Sequence, residues 1–177
     1  GKGVRVIWLK GETDMLGALE EVESFGEFAK RNNAIASTEV KSFEHLICTE
    51  QLSRRLGFKV GEELIRVVRV RSLNGNARQV DHGYFLESIA KGLTPEIAAK
   101  SIYDYLEHKR GVKVMASRRT VSVELANDED CSYLDLGKYN CVAVMESQSY
   151  TSDGILFEVT HARTHPEIFH YRVNSKR

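Results

Sequence analysis

The sequence holds only two prolines, Pro95 and Pro166, among 177 residues, and neither a proline-rich linker, a low-complexity run nor an internal repeat divides it. A continuous core is therefore expected, and roughly 150 residues per domain favours a single domain of this length. No window carries eighteen consecutive apolar residues, and the opening GKGVRVIWLKGE lacks an apolar h-region. The sequence thus predicts neither a transmembrane helix nor a signal peptide, no membrane partner and a cytoplasmic location. Net charge is missing too: 25 Lys+Arg balance 25 Asp+Glu, which removes the basic footprint of a dedicated nucleic-acid binder. Cys48, Cys131 and Cys141 are odd in number and without CxxC spacing, which argues against a disulfide framework or a zinc knuckle and predicts buried, reduced thiols. What is present, 42% hydrophobic and 28% charged residues, is the make-up of an ordinary globular protein.

The pattern predicts mostly antiparallel strands with a few short helices, an α+β fold. Leu19, Val22, Phe25, Phe28 and Ala29 recur at helical spacing, and Ser24 three residues before Glu27 is a capping box that starts a helix at Ser24. STEVKSFEHLI reads as a strand, and Thr49 to Gly57 as a short helix capped by threonine and closed by glycine. LTPEIAAKSIYDYLEHKRG predicts a proline-started turn and then an amphipathic helix through Ile102 and Leu106, ended by Gly111. Val112 to Leu125 alternates as a strand, and NDEDCSYLDLG is a capped helix. Cys141 to Tyr150 with Ile155 to Ala162 forms a hairpin around TSDG, and IFHYRV is a last strand.

The hairpin from Leu64 to Phe85 poses the sharper question. A two-residue Asn74-Gly75 turn that pairs Leu73 with Asn76 sets Val80 opposite Arg69, mixing apolar and charged residues on one face. A three-residue loop pairs Leu73 with Ala77, sets Val70 opposite Val80, and gathers Arg69, Asp81, Arg71 and Gln79 on the other face. A one-residue slip exchanges the faces, so the register that keeps the valines together is preferred. The polar face then has two meanings: a solvated cross-strand ion pair worth ~0–1 kcal/mol, or a rigid guanidinium fork for phosphate or carboxylate with Asp81 fixing one arm. The hairpin alone does not choose.

Other features have a plain meaning first. Ser24 and Ser101 are helix caps, Tyr103 is a core aromatic on an amphipathic helix, and Glu158, between Phe157 and Val159, is an exposed carboxylate. His161 and His165 have HxxxH spacing without the HExxH glutamate and off a helix, so surface or structural histidines are expected and no metal. HKRGVK complements a helix C-terminus, and Glu20, Glu21 and Glu23 form a solvated acidic approach to the first helix.

Taken in order, ELIRVVRVRSLNGN, SIYDYLE and DGILFEVTHARTHPEIFHY resemble the effector-binding UTRA domain of the GntR superfamily, HutC subfamily, over about Leu19 to Val173. The resemblance implies a chorismate-lyase-like antiparallel sheet flanked by short helices, dimerising and holding a small effector in a cleft, with no cofactor. It implies that residues 1–10 are the tail of a winged helix-turn-helix domain and linker, that residues 11–177 are the effector domain, and that operator DNA is met only through the missing N-terminal part. Carried over residue by residue, the effector site falls on Ser24, Phe25, Arg69, Arg71, Asp81, Ser101, Tyr103 and Glu158. A helix start such as that at Ser24 offers free N–H groups to an anion. Where the family often shows a Ser-Arg-x-Arg-Pro-Asp run the chain has ARTHPEIF, keeping Arg163, Pro166 and Phe169, and Arg163 joins the candidates. Residues 81–107 look most like the trehalose-operon type, so a phosphorylated sugar is the leading effector.

Two other functions compete. A lyase-like enzyme could hold a dicarboxylate on the arginines and move protons with Glu158 or Asp81, although no nucleophile–base pair or metal set is visible. A ligand-free dimerisation module is the third.

Overall fold

A computed structural model of the chain describes residues 16–17 and 22–171, so the expected 1–10 tail, together with Glu20 and Glu21, lies outside the described residues. One six-stranded, wholly antiparallel sheet organises the rest, in the order β2-β3-β4-β7-β6-β5. Its strands are β2 (Ala36–Ile47), β3 (Glu63–Leu73), β4 (Asn76–Leu86), β5 (Val114–Leu125), β6 (Cys141–Thr151) and β7 (Leu156–Thr164). A second, two-stranded parallel pair joins β1 (Leu16–Gly17) to β8 (His170–Tyr171). The helices are short: α1 (Phe25–Arg31), α2 (Glu50–Leu56), α3 (Pro95–Ala98), α4 (Ile102–Asp104) and α5 (Asp128–Tyr133). The α+β expectation holds.

The sequence places the helix ends well. Ser24 caps α1 with a complete capping box to Glu27, and Thr49 caps α2, which ends on Gly57 in the left-handed conformation. Asn127 caps α5. The long helix expected beyond Ser101 is different: three α-helical residues pass into a π-helical turn, Tyr105–Lys109. The wider turn keeps Ile102 and Leu106 in the core while the Tyr105 hydroxyl donates to the Lys91 carbonyl. The last strand begins later than expected, at His170, because Pro166 opens a 3₁₀ turn through Ile168 with His165 accepting from the Glu167 N–H.

The β3–β4 hairpin corrects one expectation and keeps another. Asn74 and Gly75 both have positive φ, 50° and 81°, so the connection is the two-residue type I′ turn, with Leu73 paired to Asn76. Yet Val70 still faces Val80, Arg69 faces Asp81 and Arg71 faces Gln79. The extra residue sits in a bulge at Arg78 instead of in the loop, and its carbonyl accepts from the His165 N–H at 2.8 Å. Tertiary pairing restores the register that the turn alone would break.

Two apolar clusters pin the sheet. The larger collects Leu64, Val67, Phe85, Phe157, Leu56 and Leu106 with the helices α2 to α4. The smaller, Val68, Val80, Val142 and Val144 against Leu134 and Leu136, lies on the face opposite Arg69 and Asp81, since successive side chains of a strand alternate. Of the thiols only Cys48 is buried; Cys131 is exposed and Cys141 half-buried, because α5 turns Asp130 inward and leaves Cys131 facing solvent.

Candidate effector cleft

A cleft of about 200 Å³ opens over the polar face of the sheet, between the strands, α1, the α4 region and the β8 end. Eight of the nine expected residues line it: Ser24, Phe25, Arg69, Arg71, Asp81, Ser101, Tyr103 and Glu158. β3 contributes the arginines, β4 Asp81 and β7 Glu158, all on one face by the observed registers. Tyr103 reaches them from α4.

The polar face is not a solvated ion pair. Arg69 and Asp81 are each only 3% exposed, and a single carboxylate oxygen, Oδ2 of Asp81, accepts from Arg69 at 2.5 Å and from Arg71 at 2.9 Å. Burial pushes the Asp81 pKa up, but the two guanidiniums overcome this and hold it down at about 2. Burial, then the neighbouring Arg71, lowers the pKa of Arg69. One carboxylate thus restrains two guanidiniums, and the buried Nε groups of both arginines are left without a protein partner among the described residues. The Phe25 ring lies 5.2 Å from the Arg71 guanidinium, a cation–π contact that keeps the fork flat against the α1 wall.

Glu158 is buried, contrary to the exposed carboxylate expected between Phe157 and Val159. It accepts from the Tyr103 hydroxyl at 2.5 Å, which also bonds Ser149 at 3.1 Å. Burial raises the Glu158 pKa despite the bonds from Tyr103 and Ser149 and the pull of Arg69. Burial, then the adjoining Glu158 charge, lifts Tyr103 well above its ordinary value, so Tyr103 stays a proton donor. Ser24 and Ser101 act as caps, accepting from Glu27 and Asp104 N–H groups, while also lining the cleft.

Arg163 is not brought to the cleft. It alternates onto the opposite face of β7, where Nε donates to both oxygens of buried Asp130 and Nη1 binds Glu124. The retained Arg163 holds α5 and β5 to the sheet. Glu23, expected to be solvated, takes a two-pronged pair from Arg31 at 2.8 Å. His165 is buried with Nε2 3.1 Å from the Asp135 carbonyl, and His161 lies 3.8 Å from Glu146; among the described residues no group of three or more His, Cys, Asp or Glu is placed to hold a metal.

Sequence reasoning missed a large part of the lining. Gln79, Ser117, Ser147, Ser149, Thr160 and Thr164 add a belt of hydroxyl and amide groups, Lys100 and Arg119 add positive charge, and Met145, Phe169 and Tyr171 add apolar walls. The alternation of β5 and β6 could have shown Ser117, Arg119, Ser147 and Ser149 to share a face; which face meets the cleft needed the sheet order.

Comparison with known families matches residues 32–170 to the UTRA domain. The chain belongs to the UTRA domain family. Among curated relatives, this UTRA domain is 28% identical over 148 residues to the HTH-type transcriptional regulator TreR of Bacillus subtilis, covering 84% of this chain and 62% of TreR. It is 22% identical over 147 residues to the HTH-type transcriptional repressor NagR of the same organism, covering 83% and 60%. The chain thus spans less than two thirds of the curated relatives it matches. Among solved structures, the effector binding domain of the B. subtilis trehalose repressor superposes with a TM-score of 0.70 at 27% identity, over 80% of this chain and 98% of that one. PhnF of Mycobacterium smegmatis shares the fold with a TM-score of 0.79 at 17% identity, over 93% and 73%. The UTRA domain is an effector-binding module of GntR-family transcriptional regulators, ligand-binding and not catalytic, which sets aside the lyase-like enzyme.

Proposed function

We propose that this UTRA domain binds a small anionic effector, a phosphorylated sugar first of all, and as a cytoplasmic homodimer passes that event to an operator-binding winged helix-turn-helix domain preceding residue 11. The observation that carries the ligand chemistry is the buried fork: Arg69 and Arg71 share one Asp81 oxygen and keep unpartnered Nε donors. Arginine in a fixed plane suits phosphate oxygens. Charge supports it, since four basic residues line the cleft against three carboxylates, of which Asp81 and Glu23 already have arginine partners. The hydroxyl and amide belt on β4, β5, β6 and β7 suits sugar hydroxyls. TreR is a trehalose repressor by name, which makes trehalose 6-phosphate the first member of the class to try.

The cleft also suggests how binding acts on structure. The cleft is open to solvent and bounded on one side by α1, so an anionic effector that bridges the Ser24 helix start and the arginine strand draws those two elements together. Only an arrangement that the ligand binds better is populated by it, and the drawn-in α1 is that second arrangement.

A thermal-shift series tests this with the free domain, trehalose 6-phosphate, trehalose, glucose 6-phosphate and organic acids. A sugar phosphate at a hundred times its Kd is expected to add about 2.7 kcal/mol of stability, with no shift from the unphosphorylated sugar. Equal shifts from trehalose and its phosphate, or none from any phosphorylated sugar, would remove the anion-gripping role.

A further inference from the structure

The face of the sheet opposite the cleft carries a second groove, of about 360 Å³, room enough for a small organic molecule. Its floor is one cross-strand row, Tyr84 of β4, Val159 of β7, Gln148 of β6 and Arg118 of β5. Successive side chains of a strand alternate, so Glu158 and Ser149, next to Val159 and Gln148, face the cleft instead. Thr160 alone borders both cavities. Helix α2 makes one wall: the Arg55 guanidinium lies 5.8 Å from the centre of the Tyr84 ring, and the Gln148 amide donates to the Leu56 carbonyl at 3.3 Å, tying α2 to β6. Tyr84 and Val159 are buried and give the floor an apolar centre. Arg118 lines the far side from β5.

Charge in this groove is one-sided. Arg55 and Arg118 both line it, and neither has a carboxylate partner among the described residues. A solvated sheet face is the plainer meaning of such a surface, but the neighbouring arginines behave differently: Arg54 pairs with Glu50 and Arg66 with Glu44. Against the two guanidiniums stands one carboxylate, Glu146. His161, 3.8 Å from it, has a pKa lowered first by burial, so the imidazole is neutral at pH 7. Three strand spacings, roughly 14 Å, separate Tyr84 from Arg118 along the row. The guanidiniums thus stand at opposite ends of the groove, with Val159 and Gln148 between them.

We infer that this groove is a second ligand site, which takes a small organic anion, a carboxylate or phosphate ester with a flat apolar body. The body lies on Tyr84 and Val159, and the charge is held by Arg118, Arg55 and the second amide hydrogen of Gln148. A guanidinium stacked on an aromatic face keeps its N–H edge for such an anion. The ligand differs in kind from the effector, because this floor is apolar at its centre where the cleft offers a belt of hydroxyl groups. The inference does not depend on the sugar-phosphate reading of the cleft.

Proton–nitrogen correlation NMR of the chain tests this, with phenyl phosphate and benzoate as probes and phenol as the uncharged control. At least one of the two anions is expected to shift, saturably, the amide signals of residues 118–120 and 159–161 and the side-chain amide of Gln148, and phenol is not. Arg55→Ala with Arg118→Ala, both at exposed positions, is expected to weaken that binding at least about tenfold, the order of one charge-assisted hydrogen bond, with an unchanged melting curve. Arg71→Ala, which removes one arm of the fork in the cleft, is expected to leave it unchanged. No saturable shift at these signals from either anion, equal shifts from phenol, full affinity in the double variant, or binding lost in Arg71→Ala would each overturn the second site. The sugar-phosphate thermal shift is a separate readout, so this site can fail while the cleft stands, and the reverse.

Discussion

At the scale of the residue, the cleft is built from groups that need each other, and this decides which substitution reports on what. Removing Arg69 leaves the buried Asp81 charge with Arg71 alone, and breaking a buried pair from one side costs about 3–5 kcal/mol. Arg69→Ala is therefore expected to lower stability by that order in urea denaturation, which makes it a poor probe of binding. Arg71 is more accessible, its side chain 15% exposed against 4% for Arg69, and its loss leaves the Arg69–Asp81 pair in place. Arg71→Ala is expected to abolish the sugar-phosphate thermal shift while lowering the melting temperature much less than Arg69→Ala. Equal destabilisation by the two variants would refute that division of labour.

At the scale of the element, β4 carries Asp81 of the cleft and Phe85 of the core on one face, and the glycine between them is required by packing. A Cβ on Gly83 would stand 2.7 Å from the Phe85 ring, and Phe85 is fully buried two residues along the same strand and face. Gly83→Ala is expected to cost about 1–3 kcal/mol, the usual penalty for overpacking, measured as a lowered urea midpoint with unchanged slope. The same element shows why part of the fold was legible and part was not. The valine alternation of β3 and β4 was enough to choose the Arg69–Asp81 register, because burying the wrong face costs too much to be overlooked. It could not say how the register is reached: turn chemistry at Asn74-Gly75 favours two residues, and the spare residue is absorbed at Arg78 by a bond from His165, far away in sequence. Arg163 is a different case: it entered as a retained position of the family motif, and strand alternation along β7 turns it to the face opposite Glu158, where it meets Asp130.

At the scale of the whole molecule, Asp81 and Glu158 give opposite pH dependences. The Asp81 pKa lies at about 2, below the 3.8 of a free aspartate. It therefore contributes about 2 kcal/mol of stability that is present above pH ~4 and lost as pH falls through about 2. The Glu158 pKa is raised above 4.5, so its contribution is present below that value and lost as pH rises through its raised folded value. Glu158→Gln is expected to shrink the loss of stability between pH 4.5 and pH 8, and Asp81→Asn to shrink the loss between pH 4 and pH 2, both read from urea midpoints. A wild-type slope in either variant would mean that the charge of that residue is not what the fold responds to.

The sequence by itself determined the local grammar of this protein: the caps at Ser24, Thr49 and Asn127, the strand pattern, the Arg69–Asp81 register and the family resemblance. Each depends on neighbours within a few residues or on one hairpin, where backbone geometry and side-chain type are nearly sufficient. Only the tertiary structure decided that the arginine face is buried, that Glu158 meets Tyr103, that Ser117 to Ser149 complete the cleft, and that β5 is left at an edge. Those depend on which strands become neighbours, and strand order is set by long-range burial that no local window contains.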